Sequence, residues 1–200
     1  MSDDWDWIWS DDEIETVRQV EQKSIRRQYK IKMKSALKRE SLSDIFQELP
    51  DNGESLHLIS NGHFDYFTFV PLILDMLPQK YCVHFYGSTW TMSRQNVLDL
   101  FDYFDNAQMG QISIFTGLYF KRRESAVYAT LLEGIQSRKQ RYIAFKNHAK
   151  IMLFNHQDTY LTVEGSANFT ANPRLEQTTI TNDKALWQFH VDWMEEILNG

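Results

Sequence analysis

The sequence predicts an α/β fold, a sandwich in which helices flank a mixed central sheet. From about Ser41 onward, apolar runs rich in β-branched and aromatic residues alternate with amphipathic segments. The 200 residues suit one domain plus an appendage, and 42% hydrophobic with 14% aromatic residues is enough for a full core. We therefore predict one α/β domain over residues 41–200 and a charged N-terminal arm over residues 1–40.

Six segments are predicted to be strands because they combine apolar and β-branched residues over short lengths. They cover residues 56–60, 81–86, 111–115, 142–148, 160–164 and 177–181. The fourth belongs to a longer apolar stretch, residues 141–154, which also has the pattern of a strand. Cys82, the single cysteine, lies in the second strand and is predicted to be a core residue.

Four segments are predicted to be helices, at residues 64–76, 93–104, 125–138 and 184–198. The second has Val97, Leu100, Phe101 and Phe104 at helical spacing, which predicts one apolar face. No apolar run approaches the roughly 18 residues expected of a membrane span. The acidic N-terminus does not resemble a secretory signal, so we expect a cytoplasmic protein.

Polar residues suited to binding a phosphate occur on two neighbouring predicted strands. His148 and Lys150 are two residues apart, so on a strand both side chains point to the same face. Ser166 and Asn168 share a face by the same rule, after a glycine that permits close backbone approach, and Glu176 follows. The pattern predicts four polar side chains converging on one anion.

A phosphodiester is a stable anion, so its cleavage needs charge neutralisation, an in-line nucleophile and protonation of the leaving oxygen. A histidine can act as nucleophile or as acid, but one ring cannot be both at once. None of the other five histidines has a lysine two residues on. A homodimer whose two-fold axis passes through the active site would supply the second histidine.

The pattern resembles the HxK…GSxN signature of the phospholipase D superfamily, and the run Gly-Ser-Ala-Asn-Phe-Thr looks most like its small single-motif nucleases. The resemblance implies a mixed-sheet α/β sandwich and a covalent phosphohistidine mechanism with no metal or cofactor. It implies that His148 is the nucleophile, that Lys150 and Asn168 are phosphate ligands and that Ser166 is a supporting donor. Glu176 would orient the histidine.

The aspartate of the family motif is displaced in this sequence. It would fall five residues after Lys150, at Asn155, and six residues before the Gly-Ser pair, at Asp158. The simplest interpretation is a hairpin three residues longer than usual, with Asp158 as the structural counterpart.

Three further segments follow predicted strands, where open α/β sheets place their sites. Asn61-Gly62-His63 and Gly87-Ser88-Thr89-Trp90 either shape substrate access or form ordinary turns that cap the next helix. Lys121, Arg122 and Arg123 either contact a nucleic-acid backbone or form a solvated helix entrance.

The N-terminal arm has segregated charge. Residues 1–15 contain seven acids, no bases and three tryptophans, whereas residues 18–39 contain nine bases and one acid. On a helix, Arg26, Lys30, Lys34 and Lys38 would form one basic stripe able to bind phosphates. The stripe is equally well explained as a solvated or dimerisation element, and the tryptophans as a docking site for a protein partner or the second subunit.

The favoured function is a metal-independent nuclease, acting on DNA rather than RNA as a homodimer. The net charge of −6 argues against indiscriminate coating of nucleic acid, although local basic patches act within the Debye length of about 8 Å. The alternatives are a phospholipid or small-diester hydrolase and a non-catalytic nucleic-acid-binding module.

Overall fold

The central element is a mixed sheet that, within the described residues, has eight strands. The structure is a computed structural model that describes residues 30–36, 42–60, 65–170 and 174–200. The strands are β1 (Lys30–Ala36), β2 (Glu54–Ser60), β3 (Cys82–Thr89), β4 (Met109–Gly117), β5 (Arg141–Phe145), β6 (Ile151–His156), β7 (Thr159–Gly165) and β8 (Glu176–Asn182). Their order is β1-β2-β8-β7-β6-β3-β4-β5. The parallel pairs are β1–β2, β3–β4 and β4–β5, and the others are antiparallel.

All four predicted helices are present, together with two short helices that the sequence did not predict. They are α1 (Leu42–Ile45), α2 (Phe69–Met76), α3 (Arg94–Asp105), α4 (Leu118–Arg123), α5 (Ser125–Ser137) and α6 (Lys184–Asn199). Ser93 and Asp183 cap the starts of α3 and α6, accepting hydrogen bonds from the amides of Asn96 and Leu186. None of the described helices combines the length and the apolar character needed to cross a lipid bilayer.

Apolar side chains cover both faces of the sheet. The larger core joins buried residues of α2, α3 and α5 to one face, and α6 packs on the other through Trp187, Val191 and Met194. Along β6, Met152 belongs to the larger core and Leu153 to the smaller, because successive strand residues point to opposite faces. The predicted α/β sandwich with a mixed sheet is therefore confirmed, and Cys82 is buried as expected.

The N-terminal arm differs from its prediction. Lys30–Ala36 forms β1, which pairs in parallel with β2 from Lys30↔Glu54 to Ala36↔Ser60, so the predicted helix is wrong for Lys30 and Lys34. The basic segment alternates with Ile31 and Met33, a period of two that also fits a strand, and pairing with β2 satisfies its backbone groups. The other residues of the predicted stripe, Arg26 and Lys38, and the tryptophan segment lie outside the described residues.

A polar group fixes α6 against the sheet. Arg141 on β5 donates two hydrogen bonds of 2.7 Å to the Glu195 carboxylate, and the Tyr86 hydroxyl donates another at 2.9 Å. Burial raises the pKa of Glu195, but the hydrogen bonds from Arg141 and Tyr86 outweigh it, so the pKa lies below its ordinary value of 4.5. Because the Glu195 carboxylate joins α6 to both β5 and β3, these contacts are expected to stabilise the sandwich.

We predict that Glu195→Gln lowers the free energy of unfolding by roughly 1–2 kcal/mol at neutral pH, since the Arg141 guanidinium keeps its charge but loses its carboxylate partner. A group whose folded pKa is depressed contributes stability above its ordinary pKa and loses it as the pH falls through the folded value. The difference from wild type should therefore shrink below about pH 4.5 in urea titrations. Glu133→Gln on the exposed side of α5 is the control, and an equal loss at every pH would contradict the ionic role.

Candidate active site

The predicted site lies at one end of the sheet, where several strands end or begin together. The register pairs Ser88 with both Phe115 and Ile151, and Gly117 with Phe145. The carboxyl ends of parallel β3, β4 and β5 thus meet the start of antiparallel β6. The carboxyl ends of parallel strands are the usual position of ligand sites in open α/β sheets.

His148 and Lys150 lie in a crossover segment and not on a strand. β5 is the edge strand, whereas β6 lies beyond β4 and β3, so residues 146–150 must pass over the ends of those two strands. The predicted continuation of one strand through His148, and the wider strand over residues 141–154, are therefore wrong. The apolar run is divided between a strand parallel to β4 and a strand antiparallel to β3.

Asn147 holds this crossover in place. Its buried side-chain amide donates to Ser88 Oγ at 2.9 Å and to the carbonyls of Thr89 and Phe115 at 3.4 Å. Its Oδ1 accepts the Ala149 amide at 2.9 Å, and Ser88 Oγ donates to the Ala149 carbonyl at 3.1 Å. These buried bonds fix the backbone on both sides of the histidine, a role that sequence reasoning missed because one asparagine carries no pattern.

The crossover brings the lysine and histidine into contact. Lys150 Nζ lies 2.8 Å from His148 Nδ1 and 3.2 Å from Nε2, and it donates to the His148 carbonyl at 2.7 Å. His148 is exposed, whereas Lys150 is only 7% exposed. Partial burial and the Lys150 charge lower the pKa of His148, and burial lowers the pKa of Lys150 against the opposing effect of Glu176. The geometry favours a neutral imidazole beside an ammonium group.

Ser166 lines the same groove, and Glu176 is bonded to it. The Ser166 hydroxyl donates a short hydrogen bond to Glu176 Oε2, and the Gln177 amide donates to Ser166 Oγ at 3.1 Å. The groove has a volume of about 540 Å³ and is lined by His148, Lys150, Ser166 and their neighbours. The structure therefore brings together four of the five predicted catalytic residues, with Glu176 acting on Ser166 and on the charge of Lys150.

Asn168 faces the neighbouring cleft. Its Oδ1 accepts the Trp90 amide at 3.3 Å, and it lines a separate depression of about 500 Å³. The loop that carries it is anchored at Phe169, whose amide donates to Thr89 Oγ1 and whose carbonyl accepts from Asn96. The predicted loop at Gly87-Ser88-Thr89-Trp90 is wrong for its first three residues, which belong to β3. Thr89 holds the loop that carries Asn168, and Ser93 is the residue that caps the next helix.

Close packing fixes the start of this loop. A methyl group built on Gly165 would lie 2.7 Å from the ring of the buried Tyr66, so only glycine fits there without displacement. The prediction that this glycine permits close approach is confirmed.

The two candidates for the motif aspartate lie away from the groove. Asn155 is on β6, where its Oδ1 accepts the His84 amide at 3.0 Å and ties β6 to β3. Asp158 is exposed in the two-residue turn after His156, at the far end of the hairpin. The predicted long hairpin is wrong, since Gln157 closes a tight turn with a φ of 49°. Asn155 therefore makes a structural hydrogen bond between two strands, whereas Asp158, the predicted structural counterpart, lies in the turn.

The three basic residues after β4 lie on α4. All three are exposed; the Arg123 guanidinium lies 5.8 Å from the Tyr119 ring centroid, and Lys121 Nζ lies 5.8 Å from that of Tyr128. Arg123 lines the cleft that Asn168 also lines, whereas Arg122 is not among the lining residues. The Asn61-Gly62-His63 segment lies outside the described residues.

Metal-binding side chains do not gather in the part of the chain that the structure describes: no group of three or more His, Cys, Asp or Glu residues is placed to hold an ion there.

The structure resembles known proteins in fold. It matches a crystal structure of polyphosphate kinase from Porphyromonas gingivalis with a TM-score of 0.58 and 15% identity, over 82% of this chain and 29% of that chain. The chain thus spans less than a third of that protein's length. At this identity the match shows a shared fold. No protein-family model and no curated protein sequence matches the chain.

Two other solved structures are more distant. NucT from Helicobacter pylori has a TM-score of 0.46 at 10% identity, over 73% of this chain and 97% of that one. TrmBL2, an archaeal chromatin protein described with a novel mode of DNA binding, has a TM-score of 0.45 at 10% identity, over 70% of this chain and 51% of that one. At TM-scores under 0.5, neither likeness establishes a shared fold.

We predict that Lys150→Met raises the pKa of His148 toward its ordinary value of 6.5, because the nearby positive charge disappears while the partial burial of the ring persists. Titration of the His148 ring protons by NMR measures the change. Lys146→Met is the control, since the charge of Lys146 is not a cause of the shift. An unchanged His148 pKa in Lys150→Met would show that the charge contact is absent in solution.

Proposed function

We propose that this chain is a metal-independent phosphodiesterase of the phospholipase D type that cleaves nucleic acid. The observation that carries the proposal is the contact between Lys150 Nζ and His148 Nδ1, 2.8 Å long, in a groove that Ser166 also lines. The mixed-sheet α/β fold agrees with the one that the motif implies. A cation, a nucleophile and a hydroxyl around one groove are the groups that phosphodiester cleavage needs.

His148 is proposed to attack phosphorus. Its lowered pKa keeps the ring neutral near neutral pH, and a neutral imidazole nitrogen has the lone pair that attack requires. A P–N bond forms as the P–O bond to the leaving group breaks. Water then attacks phosphorus, the P–N bond breaks and the free ring is restored.

Lys150 is proposed to change partner when substrate binds. An anionic phosphate oxygen is a stronger acceptor than a neutral imidazole, so the ammonium group turns from the ring to the phosphate. This movement frees the nitrogen lone pair and neutralises charge on the phosphate. Because Lys150 is buried, its attraction to the phosphate is stronger than it would be in bulk water.

The leaving oxygen needs a proton that His148 cannot supply while it is bonded to phosphorus. We propose that His148 of the partner subunit supplies it, across a two-fold axis that brings two grooves together. The same ring then removes a proton from the attacking water. Glu176 accepts a hydrogen bond from the Ser166 hydroxyl and fixes its position. In this way it supports the orientation of the groups around His148.

We predict that the purified protein cleaves labelled DNA or RNA in millimolar EDTA and that His148→Ala reduces the rate at least 10³-fold, because the nucleophile is lost. His57→Gln, a half-buried histidine in the middle of β2, is the matched control. Turnover of phospholipid vesicles alone would favour a lipid hydrolase. Binding of nucleic acid without any cleavage would favour a non-catalytic module.

Hybrid dimers test the shared site. If both histidines are needed, refolding equal amounts of wild type and His148→Ala should leave about a quarter of the activity of an all-wild-type sample, since only wild-type homodimers are active. Sedimentation establishes the oligomeric state of each sample. Activity equal to half would show that each subunit works alone.

A further inference from the structure

A cleft of about 500 Å³ adjoins the groove and has a different lining. Its walls combine aromatic and basic side chains with Asn168, and Glu124 also lines it. Trp90 and Tyr119 supply the aromatic surface, and Arg94, Arg123 and Arg174 supply the positive charge.

Trp90 and Tyr119 form a rigid pair. Their rings lie 5.3 Å apart between centroids and only 4° from parallel. Trp90 packs on Gly117, where an added methyl group would collide with the indole, and Tyr119 follows two residues later at the start of α4. The pair is therefore set by the end of β4 and needs little ordering to bind a ligand.

This aromatic pair lies beside the proposed nucleophile. The Trp90 ring centroid is 6.1 Å from that of His148, and the Trp90 amide donates to Asn168 Oδ1 at 3.3 Å. The Arg123 guanidinium lies 5.8 Å from the Tyr119 centroid. One path thus leads from His148 past Trp90 and Tyr119 to Arg123.

The spacing of these groups suits one nucleotide. Aromatic surfaces bind bases by stacking, and neighbouring cations bind the backbone phosphates. A base in a duplex is already stacked and paired, so its face is not open to side chains, whereas an unpaired base is free to stack.

We propose that this cleft binds the nucleotide next to the scissile phosphate in a single-stranded nucleic acid. Its base lies against the Trp90–Tyr119 pair and its next phosphate lies near Arg123. The inference rests on the proposed function for its catalytic context, but the cleft itself is tested by binding.

Binding is measured by fluorescence anisotropy in the His148→Ala protein, which cannot cleave the ligand. The probes are a labelled oligothymidylate and an abasic oligomer of equal length, which has the same phosphates and no bases. We expect the oligothymidylate to bind about tenfold more tightly than the abasic oligomer, and more tightly than a duplex of that length.

Two substitutions locate the effect. Tyr119→Ala should remove most of the preference for bases, whereas Tyr103→Ala, a partly buried tyrosine on α3, should leave it. Arg123→Gln should weaken the binding of both oligomers by the same factor. Its control is Lys184→Gln on α6, where the lysine lies 5.0 Å from the Tyr160 ring centroid. Circular dichroism confirms that each variant folds.

Equal affinity for the two oligomers, tighter binding of duplex, or an unchanged preference in Tyr119→Ala would overturn the proposal. Hydrolysis of bis(p-nitrophenyl) phosphate by the wild-type protein separates this outcome from failure of the proposed function. That small diester has no base to fill the cleft. Its histidine-dependent hydrolysis without a preference for bases would refute the subsite alone, and a preference for bases without hydrolysis would refute catalysis alone.

Discussion

The geometry of the site depends on the hydrogen bonds that the buried side-chain amide of Asn147 makes. The chain leaves the edge strand β5 and enters β6 beyond two other strands, so five residues must cross the strand ends. Their backbone groups lie over a buried surface and need hydrogen-bond partners there. Asn147 binds both the serine of β3 and the backbone of the crossover, which fixes the approach to His148. The predicted catalytic motif is thereby attached to the sheet without lying on a strand.

The burial of Lys150 follows from the same crossing. Because the segment turns into β6 at Ile151, Lys150 enters the sheet edge and retains 7% exposure, while His148 stays at the surface. An ammonium group with so little solvent makes up its hydrogen bonds with the histidine ring and carbonyl. The cost of burying that charge is offset when an anion enters the groove. Under the proposed function, that anion is the phosphate of the substrate.

Much of the fold could be predicted from the sequence, and the errors share one cause. Periodicity identified the central strands and the long helices, since burial sets both patterns. It did not show that residues 141–154 contain two strands. The crossover between them is only five residues long, so the apolar residues on its two sides look like one continuing strand. Periodicity also placed Lys30 and Lys34 on a helix, although pairing with β2 decides that conformation. The motif predicted the residues around the groove, whereas Asn147 and the Trp90–Tyr119 pair depend on contacts distant in sequence.

The loop after β7 relates the two depressions to each other. Ser166 lines the groove and Asn168 lines the cleft, so alternate residues of one short loop face neighbouring sites. Phe169 is buried, and its amide and carbonyl are bonded to Thr89 on β3 and Asn96 on α3, which holds the loop in place. A phosphate at His148 and a base at Trp90 would therefore be held at a fixed separation. Such a fixed separation suits a polymer of regular repeat better than a lipid headgroup, because successive units of a strand can occupy both depressions at once.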